Sequence, residues 1–249
     1  MKPYSIWLPD FDITSGGIRV MYGLYGWLLT KGQVVIPNMT TEDNSHVSIY
    51  PEIVQGKPLY GETVVRYLLN EPGTMSLYGT PGPSDFPKSD LIYTFSKMFY
   101  KTDDEHTLFL PILDLNTFDD QKKRRTKTAF FVGKGRNQNK HPDDAVEITR
   151  EFSQNQEELA ILLNECDVLY SYDPVSAMTE ISRLCGCRVV LYQEKYTKKQ
   201  YELYEPGLNG MGIESDEKLD IPKFRTSYKA LGHTFSYRLN QFITLTQKI

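Results

Sequence analysis

Two segments of the chain carry residue types that could bind a phosphorylated ligand, and the first contains Gly16 and Gly17. These glycines follow Ser15 and precede an apolar pattern with helical spacing. Paired glycines let a ligand approach the backbone, and the free N–H groups at the start of a helix attract anions. A tight turn that merely requires glycine would leave the same pattern. A phosphate loop and a simple turn therefore both fit this segment.

The second segment begins at Asp173 and Pro174, a pair typical of a helix cap followed by the first helical residue. The start of that helix, with Ser176 and Ala177, could hold a phosphate through backbone N–H groups and a hydroxyl. Glu180 follows on the same predicted helix, where its carboxylate could accept hydrogen bonds from vicinal sugar hydroxyls. A solvent-facing glutamate is the alternative, and it is the commoner fate of a glutamate on a helix.

Lys134 and Arg136 add two positive charges to the same half of the chain. They follow an apolar run at 128–132, within the sequence Gly-Lys-Gly-Arg at 133–136. Cations at the end of a strand could neutralise a diphosphate, because an open parallel sheet binds ligands beyond the carboxyl ends of its strands. A solvated basic turn would have the same sequence, so both interpretations stay open.

The elements that must position these residues alternate between strand and helix. An apolar strand at 4–8, a glycine loop, an amphipathic helix from Ile18 and a strand at 34–36 form a unit whose crossover implies a parallel sheet. Further elements of the first half are predicted at 47–50 (strand), about 62–70 (helix) and 91–94 (strand).

The second half repeats this alternation after a charged run at 119–125, which predicts a solvated linker. Strands are predicted at 128–132, 168–170 and 189–191, with the helix that Asp173 caps between the last two. An amphipathic stretch at 228–246 predicts a closing helix. The sequence therefore predicts two α/β halves.

Composition excludes several classes of protein. The chain has 249 residues, 40% of them hydrophobic and 24% charged, which is typical of globular domains rather than disordered or coiled-coil proteins. The net charge is −4 and the pI about 5.7, so we expect no nucleic-acid partner. No apolar run approaches the roughly 20 residues that span a bilayer, which leaves only peripheral membrane contact. Three cysteines cannot form a closed disulfide framework, and no secretory pattern is present, so we expect a cytoplasmic protein.

Three motifs, in order along the chain, resemble one family. Gly-Gly-Ile-Arg-Val at 16–20 looks like the acceptor-side glycine loop of the GT-B fold glycosyltransferases. Phe-Val-Gly-Lys-Gly-Arg at 131–136 resembles the strand end that holds the donor diphosphate in the retaining, glycogen-synthase-like branch. The segment 170–190, with Glu180 before a small-residue helix, a glycine and a buried strand, is similar to the donor-ribose motif of that branch.

This resemblance implies an α/β fold of two facing Rossmann-like domains, as a small, truncated member of the family. An N-terminal acceptor-side domain would span 1–122 and a nucleotide-sugar-binding domain 123–226. The last segment, 227–249, would be a C-terminal helix that crosses back and packs on the N-terminal domain.

The resemblance also implies a role for each candidate residue, and it departs from the family at one of them. The family places a glutamate eight residues before Glu180, where this chain has Tyr172. The implied roles are catalysis for Lys134 and Arg136, donor binding for Tyr172, Asp173, Ser176, Ala177 and Glu180, and an acceptor or phosphate loop for Gly16 and Gly17.

The predicted function is that of a glycosyltransferase in glycan or polysaccharide synthesis. A nucleotide-diphosphate sugar would be the donor and a glycan or other hydroxyl compound the acceptor; the resemblance implies retention of configuration and no metal or other cofactor. One alternative is a non-catalytic nucleotide-sugar-binding or glycan-binding protein, which the missing glutamate favours. Another is a glycosyltransferase acting on modified DNA bases, against which the acidic pI argues.

Overall fold

The protein is described by a computed structural model over residues 1–41, 43–77, 79–215 and 221–249. Contacts divide the chain into two compact units: unit 1 is Met1–Ile112 with Leu231–Ile249, and unit 2 is Leu113–Ala230. Each unit contains a five-stranded sheet in which all neighbouring strands are parallel. The Rossmann-like α/β class predicted from the sequence is confirmed.

The strands of unit 1 are short, and those at Tyr4–Ile6, Val47–Pro51 and Thr63–Leu68 are buried along their whole length. In chain order they are β1 Tyr4–Ile6, β2 Val35–Pro37, β3 Val47–Pro51, β4 Thr63–Leu68, the two strands β5 Ser76–Leu77 and β6 Thr80–Pro81 of a separate hairpin, and β7 Leu91–Thr94. The sheet has the order β2-β1-β3-β4-β7, so that its first strand lies between its second and third. This is one of the two common doubly wound orders.

One face of this sheet is covered by helices. Helix α1, Gly16–Thr30, is the crossover from β1 to β2, and its N-cap is Ser15, whose hydroxyl oxygen accepts the N–H of Ile18. The later turns of the C-terminal helix, α5 Ile221–Thr246, cover the same face. The buried side chains that these helices supply to the core of unit 1 are Val20, Met21, Leu24, Leu28, Phe235, Leu239 and Phe242.

The opposite face of the unit 1 sheet is covered by loops. A small cluster of Tyr50, Val54, Leu59 and Val64 forms its core. Next to that cluster lies the buried ion pair of Arg66 and Asp90, whose Nε and Oδ2 atoms are 2.9 Å apart.

The remaining hydrogen bonds of Arg66 tie the loops to the sheet. Its two other nitrogens donate to the carbonyl oxygens of Val54 and Gly56, at 2.9 and 2.6 Å. The guanidinium also lies over the Tyr50 and Phe86 rings. Arg66 therefore satisfies two main-chain carbonyl groups of a connection that has no helix of its own.

The sheet of unit 2 has the same strand order as that of unit 1. Its strands are β8 Lys127–Phe131, β9 Val146–Glu147, β10 Cys166–Ser171, β11 Arg188–Leu191 and β12 Met211–Ile213. They are arranged β12-β11-β10-β8-β9, so that the first strand of this unit again lies between the second and the third.

The crossovers of unit 2 after β9 contain helices, whereas the first crossover, 132–145, does not. A 3-10 turn at Phe152–Gln154 precedes α2 Gln156–Glu165, and α3 Ala177–Leu184 follows β10. Helices α2 and α3 both pack on β10 and contact each other. A short helix, α4 Lys198–Tyr201, precedes β12.

Arg125 closes the carboxyl ends of α2 and α3. Its guanidinium donates to the carbonyl oxygens of Leu163, Cys166 and Cys185 at 2.6–3.0 Å, and to Asp120 at 2.7 Å. The carbonyls of the last helical turn lack partners within the helix, and this partly buried cation satisfies them. The interpretation of 119–125 as a solvated linker is therefore wrong for Arg125, which belongs to the packing of unit 2.

Two other expectations are corrected by the structure. The segment 62–70 was expected to be a helix, but residues Thr63–Leu68 form β4, with all six side chains buried. Val64 and Val65 are β-branched, and burial on both faces removes the alternation by which strands are usually recognised. The closing helix begins earlier than expected, at Ile221, and the division between the two units falls inside it, between Ala230 and Leu231.

Candidate functional site

The sequence-predicted cations lie at the carboxyl end of the unit 2 sheet. Strands β8 and β10 are neighbours, although β9 lies between them along the chain. The chain leaves β8 into the turn 133–136 and leaves β10 into Tyr172 and Asp173. In doubly wound sheets the connections diverge between the first and third strands, and ligands bind in the crevice that this leaves.

Both glycines of the turn 133–136 are required by its geometry. Gly133 has φ +54°, in the left-handed region, and a Cβ there would lie 2.3 Å from Oδ2 of Asp173. A Cβ on Gly135 would lie 1.7 Å from the carbonyl oxygen of Tyr172. The backbone of the turn therefore rests directly on residues 172–173, and the side chains of Lys134 and Arg136 between and after the glycines are exposed.

Asp173 holds this turn and does not cap the helix. Its Oδ2 accepts the N–H of Lys134 at 3.0 Å, and its Oδ1 accepts the N–H of Val175 at 3.0 Å. Burial raises the pKa of the Asp173 carboxyl, although the nearby charge of Lys134 and the two hydrogen bonds oppose that shift. The sequence-based cap assignment is wrong because this carboxylate bonds to a residue 39 positions earlier.

Ser176 is the actual N-cap of α3, whose first helical residue is Ala177. The Ser176 hydroxyl oxygen accepts the N–H of Met178 at 3.1 Å. Both Ser176 and Ala177 are half-buried, three residues beyond Asp173 on the path from β10. The helix start therefore lies at the same edge of the sheet as the turn 133–136, where its N–H groups favour an anion.

Tyr172 is buried, with 1% of its surface exposed. Its hydroxyl oxygen accepts the N–H of Lys140 at 2.9 Å and lies 2.7 Å from Nδ1 of His141. The His141 ring stacks on Phe130 with 3.8 Å between ring centroids. The hydroxyl is thus occupied by the loop that carries Lys134.

Glu180 is buried on α3, where it receives the hydroxyl of Tyr204. Burial, and next the charge of Glu180, hold the pKa of Tyr204 well above its usual value, so this phenol stays a donor. Arg183, one turn later on α3, is also buried, and its guanidinium lies 3.8 Å from the Phe224 ring centroid. Burial lowers the pKa of Arg183 to about 10, which leaves it charged at neutral pH. Glu180 therefore belongs to a charged cluster within unit 2.

Gly16 and Gly17 belong to unit 1, in the first turn of α1. Neither has a positive φ. A Cβ on Gly16 would meet no atom within 4 Å, and one on Gly17 would make an ordinary 3.5 Å contact with Leu69. A tight turn therefore does not require glycine at either position, and the space beside Gly16 leaves the helix start accessible.

The structure thus brings together Lys134, Arg136, Tyr172, Asp173 and Ser176 at one sheet edge. Sequence reasoning missed the contributions of His141 and Tyr204. The only available signal was the abundance of tyrosine, which fits half-buried surfaces equally well.

The described residues offer neither a metal site nor a membrane-spanning helix. No group of three or more His, Cys, Asp or Glu side chains in ranges 1–41, 43–77, 79–215 and 221–249 is arranged to hold a metal ion. None of the helices described there is long and apolar enough to cross a membrane.

Comparison with known proteins gave a structural match of low similarity. No protein-family model and no curated protein matches the chain. Among solved structures, the chain matches the solution structure of the E. coli RcsC C-terminus (residues 700–949), which contains a linker region and a phosphoreceiver domain. The two chains are 15% identical, 92% of each is covered, and the TM-score is 0.24. At that TM-score the match carries no argument about fold or function.

Proposed function

We propose that the chain is a small glycosyltransferase that binds the diphosphate of a nucleotide-sugar donor at the carboxyl ends of β8 and β10. The observation that carries the proposal is the fixed turn 133–136. It presents two exposed cations, Lys134 and Arg136, at the same sheet edge as the start of α3. The resemblance of three ordered motifs to retaining GT-B enzymes supports the same assignment, as does the presence of two Rossmann-like sheets.

In this proposal, positive charge at the turn promotes loss of the leaving group. When the bond between the anomeric carbon and the donor phosphate breaks, negative charge grows on the departing diphosphate. Lys134 and Arg136 would stabilise that charge from the solvent side, and the α3 N–H groups from the protein side. The acceptor hydroxyl forms the new bond to the anomeric carbon, and its proton passes to the departing diphosphate. Gly16 and Gly17 would admit the acceptor or a donor phosphate to the start of α1.

Glu180 takes the donor-ribose role that the resemblance implies. The side chain is only 4% exposed and its carboxylate already receives the Tyr204 hydroxyl, so a ribose would have to displace that contact, and the role rests on the resemblance. Glu180→Gln should then weaken binding of a nucleoside diphosphate by about 1–3 kcal/mol, the scale of a charged hydrogen bond. Binding of inorganic pyrophosphate, which has no ribose, should be unchanged.

The main experiment compares cations at the two ends of one strand. Lys134→Gln and Arg136→Gln should each lower donor turnover by about tenfold or more, since each removes a charge from the leaving group. Lys127→Gln is the matched control, because Lys127 lies at the amino end of β8 and pairs with Glu165. The assay follows release of free nucleotide from UDP-, GDP- and ADP-sugars. Equal turnover in the wild type and the three variants would show that the reaction takes place at another site.

A non-catalytic nucleotide-sugar-binding protein is the second candidate function, and Tyr172 is the observation that favours it. Its hydroxyl is occupied by Lys140 and His141, so the position supplies no carboxylate to a donor sugar. Such a protein would be stabilised thermally by the same nucleotides. It would release no free nucleotide during prolonged incubation with any donor, with or without acceptor glycans.

A further inference from the structure

We infer that Tyr172 is a positioning residue for the diphosphate site, which it serves by holding both ends of the loop 133–141. This inference rests on the proposed function, because holding the loop matters only if Lys134 and Arg136 bind the diphosphate. Tyr172 itself need not touch the donor.

The first end of the loop is held through the main chain of residues 172–173. Gly135 lies against the carbonyl oxygen of Tyr172 so closely that no side chain fits between them. The adjacent N–H of Lys134 is bound by the Asp173 carboxylate at 3.0 Å. Lys134 therefore has its backbone fixed on both sides, while its side chain remains exposed.

The second end is held by the Tyr172 side chain. The N–H of Lys140 donates to the phenol oxygen at 2.9 Å, and His141 Nδ1 lies 2.7 Å from the same oxygen. His141 is in turn stacked on Phe130 of β8. One buried hydroxyl thus fixes the place where the loop returns to the sheet.

This grip matters because the loop has no secondary structure of its own. Residues 132–145 form the one crossover of unit 2 that lacks a helix. Two short-range backbone hydrogen bonds, from the N–H of Gly135 to Val132 and from the N–H of Ala145 to Pro142, lie near its ends, and the contacts from residues 172–173 add to them in fixing its shape. Ordering each free residue costs about 1–2 kcal/mol of conformational entropy. A loop ordered before the ligand arrives spares that cost at binding, and it places Lys134 and Arg136 in advance.

Hydrogen exchange of the unliganded protein tests the grip without any ligand. In Tyr172→Phe, the ring remains but the acceptor for the Lys140 N–H is lost, so exchange over 134–141 should accelerate by at least about threefold. Tyr192→Phe is the matched control, because it removes a hydroxyl from the ring stacked on Tyr172 and leaves the loop contacts unchanged. His141→Phe, which can keep a ring on Phe130, should accelerate exchange in the same segment and covers the case in which Tyr172→Phe folds poorly.

Binding of inorganic pyrophosphate, measured by calorimetry, tests the purpose of the grip. Tyr172→Phe should weaken binding by about threefold to tenfold, the range that corresponds to loss of one hydrogen bond. The same substitution in a Lys134→Gln, Arg136→Gln background should cause no further loss, because no positioned charge remains to be misplaced. A general structural defect would lower binding equally in both backgrounds.

The outcomes separate the two proposals. Wild-type protein that binds neither pyrophosphate nor a nucleoside diphosphate would overturn the proposed function, and with it this inference. Normal wild-type binding together with unchanged exchange or unchanged affinity in Tyr172→Phe would overturn the inference alone. Three results together would establish Tyr172 as the positioning residue. In Tyr172→Phe, hydrogen exchange over 134–141 is faster and pyrophosphate binds more weakly. In the Lys134→Gln, Arg136→Gln background, Tyr172→Phe causes no further loss of affinity.

Discussion

In unit 1, the buried Arg66 guanidinium binds the carbonyl oxygens of two loop residues, whereas in unit 2 the Arg125 guanidinium binds carbonyls at the ends of two helices. Each arginine belongs to a unit whose parallel sheet has the same strand order as the other. Unit 1 has a helix in its first crossover and loops in the later ones; unit 2 has a loop in its first crossover and helices afterwards.

The comparison shows that a given strand order does not dictate what covers the sheet. A parallel sheet needs crossovers that satisfy their own backbone groups, and helices do this internally. Where the helix is missing, a side chain must replace its hydrogen bonds. In unit 1 that replacement is the buried Arg66–Asp90 pair, and in unit 2 it is the set of contacts from residues 172–173 to the loop 133–141.

The largest expected effect is that of Arg66→Met. It removes the guanidinium partner of the buried Asp90, which keeps only the half-exposed Lys57 at 3.6 Å, and it leaves the Val54 and Gly56 carbonyls without their donor; together these losses should lower the free energy of unfolding by about 3–4 kcal/mol. Both tryptophans, Trp7 and Trp27, belong to unit 1, so tryptophan fluorescence during urea unfolding reports on this unit. A fluorescence midpoint equal to that of the wild type would show that the loop-covered face does not depend on Arg66.

Gly135→Ala should have the next largest effect. Its Cβ would lie 1.7 Å from a main-chain oxygen, so the loop or β10 must move. We expect a loss of about 3 kcal/mol, at the upper end of overpacking costs, together with loss of pyrophosphate binding. Gly26→Ala in α1 is the control, because no atom lies within 4 Å of its new Cβ; it should raise stability by about 0.5–1 kcal/mol. Circular dichroism during urea unfolding measures the stability change of both variants.

Arg125→Met should be milder than Arg66→Met, since the Arg125 side chain is only partly buried and water can replace some of its contacts. We expect a loss of about 2 kcal/mol, from several charged hydrogen bonds offset by hydration. Circular dichroism should register the change in the helices of unit 2, and tryptophan fluorescence should change less. A larger shift in fluorescence than in circular dichroism would contradict the contrast between the units.

The smallest effect is expected for Asp120→Asn, and it should depend on pH. Burial opposes ionisation of Asp120, but hydrogen bonds to Lys122 and the charge of Arg125 lower its pKa below the ordinary value of 3.8. Because the pKa of Asp120 is lower in the folded state, its ionised carboxylate stabilises the protein at pH values above 3.8. This contribution disappears as the pH falls through the folded-state pKa. At pH 7 the variant should be about 1 kcal/mol less stable, after screening by solvent. Melting curves of the two proteins should converge as the pH falls below 3.8 and through the folded-state pKa.

The sequence predicted well those parts of the fold in which local pattern and burial agree. Most of the parallel strands, the helix after Gly17 and the C-terminal helix follow from runs of apolar residues at periods that each element requires, although β12 at Met211–Ile213 was not predicted. The strand at Thr63–Leu68 was missed because burial of both faces removes its alternation.

The candidate site was only partly predictable, for a different reason. Lys134 and Arg136 could be found because a glycine turn after a strand is a local signal. The partners of Asp173 could not, because its contact with Lys134 spans 39 positions along the chain, and the same holds for Tyr172 with His141 over 31. Local propensity favoured a helix cap for Asp173, and a long-range contact overrode it.

The division of α5 between the two units has a consequence for how the chain is made. Phe235, Leu239 and Phe242 complete the core of a sheet whose first strand begins at Tyr4. During synthesis at 5–20 residues per second, the ribosome needs on the order of ten seconds to pass from Ile112 to Leu231. Most of unit 2 is made in that interval, and its core is completed by Phe224 and Tyr228 in the first turns of the same helix. The sheet of unit 1, which is translated first, must therefore wait for the residues that are translated last, and its uncovered apolar face is one that a chaperone would meet.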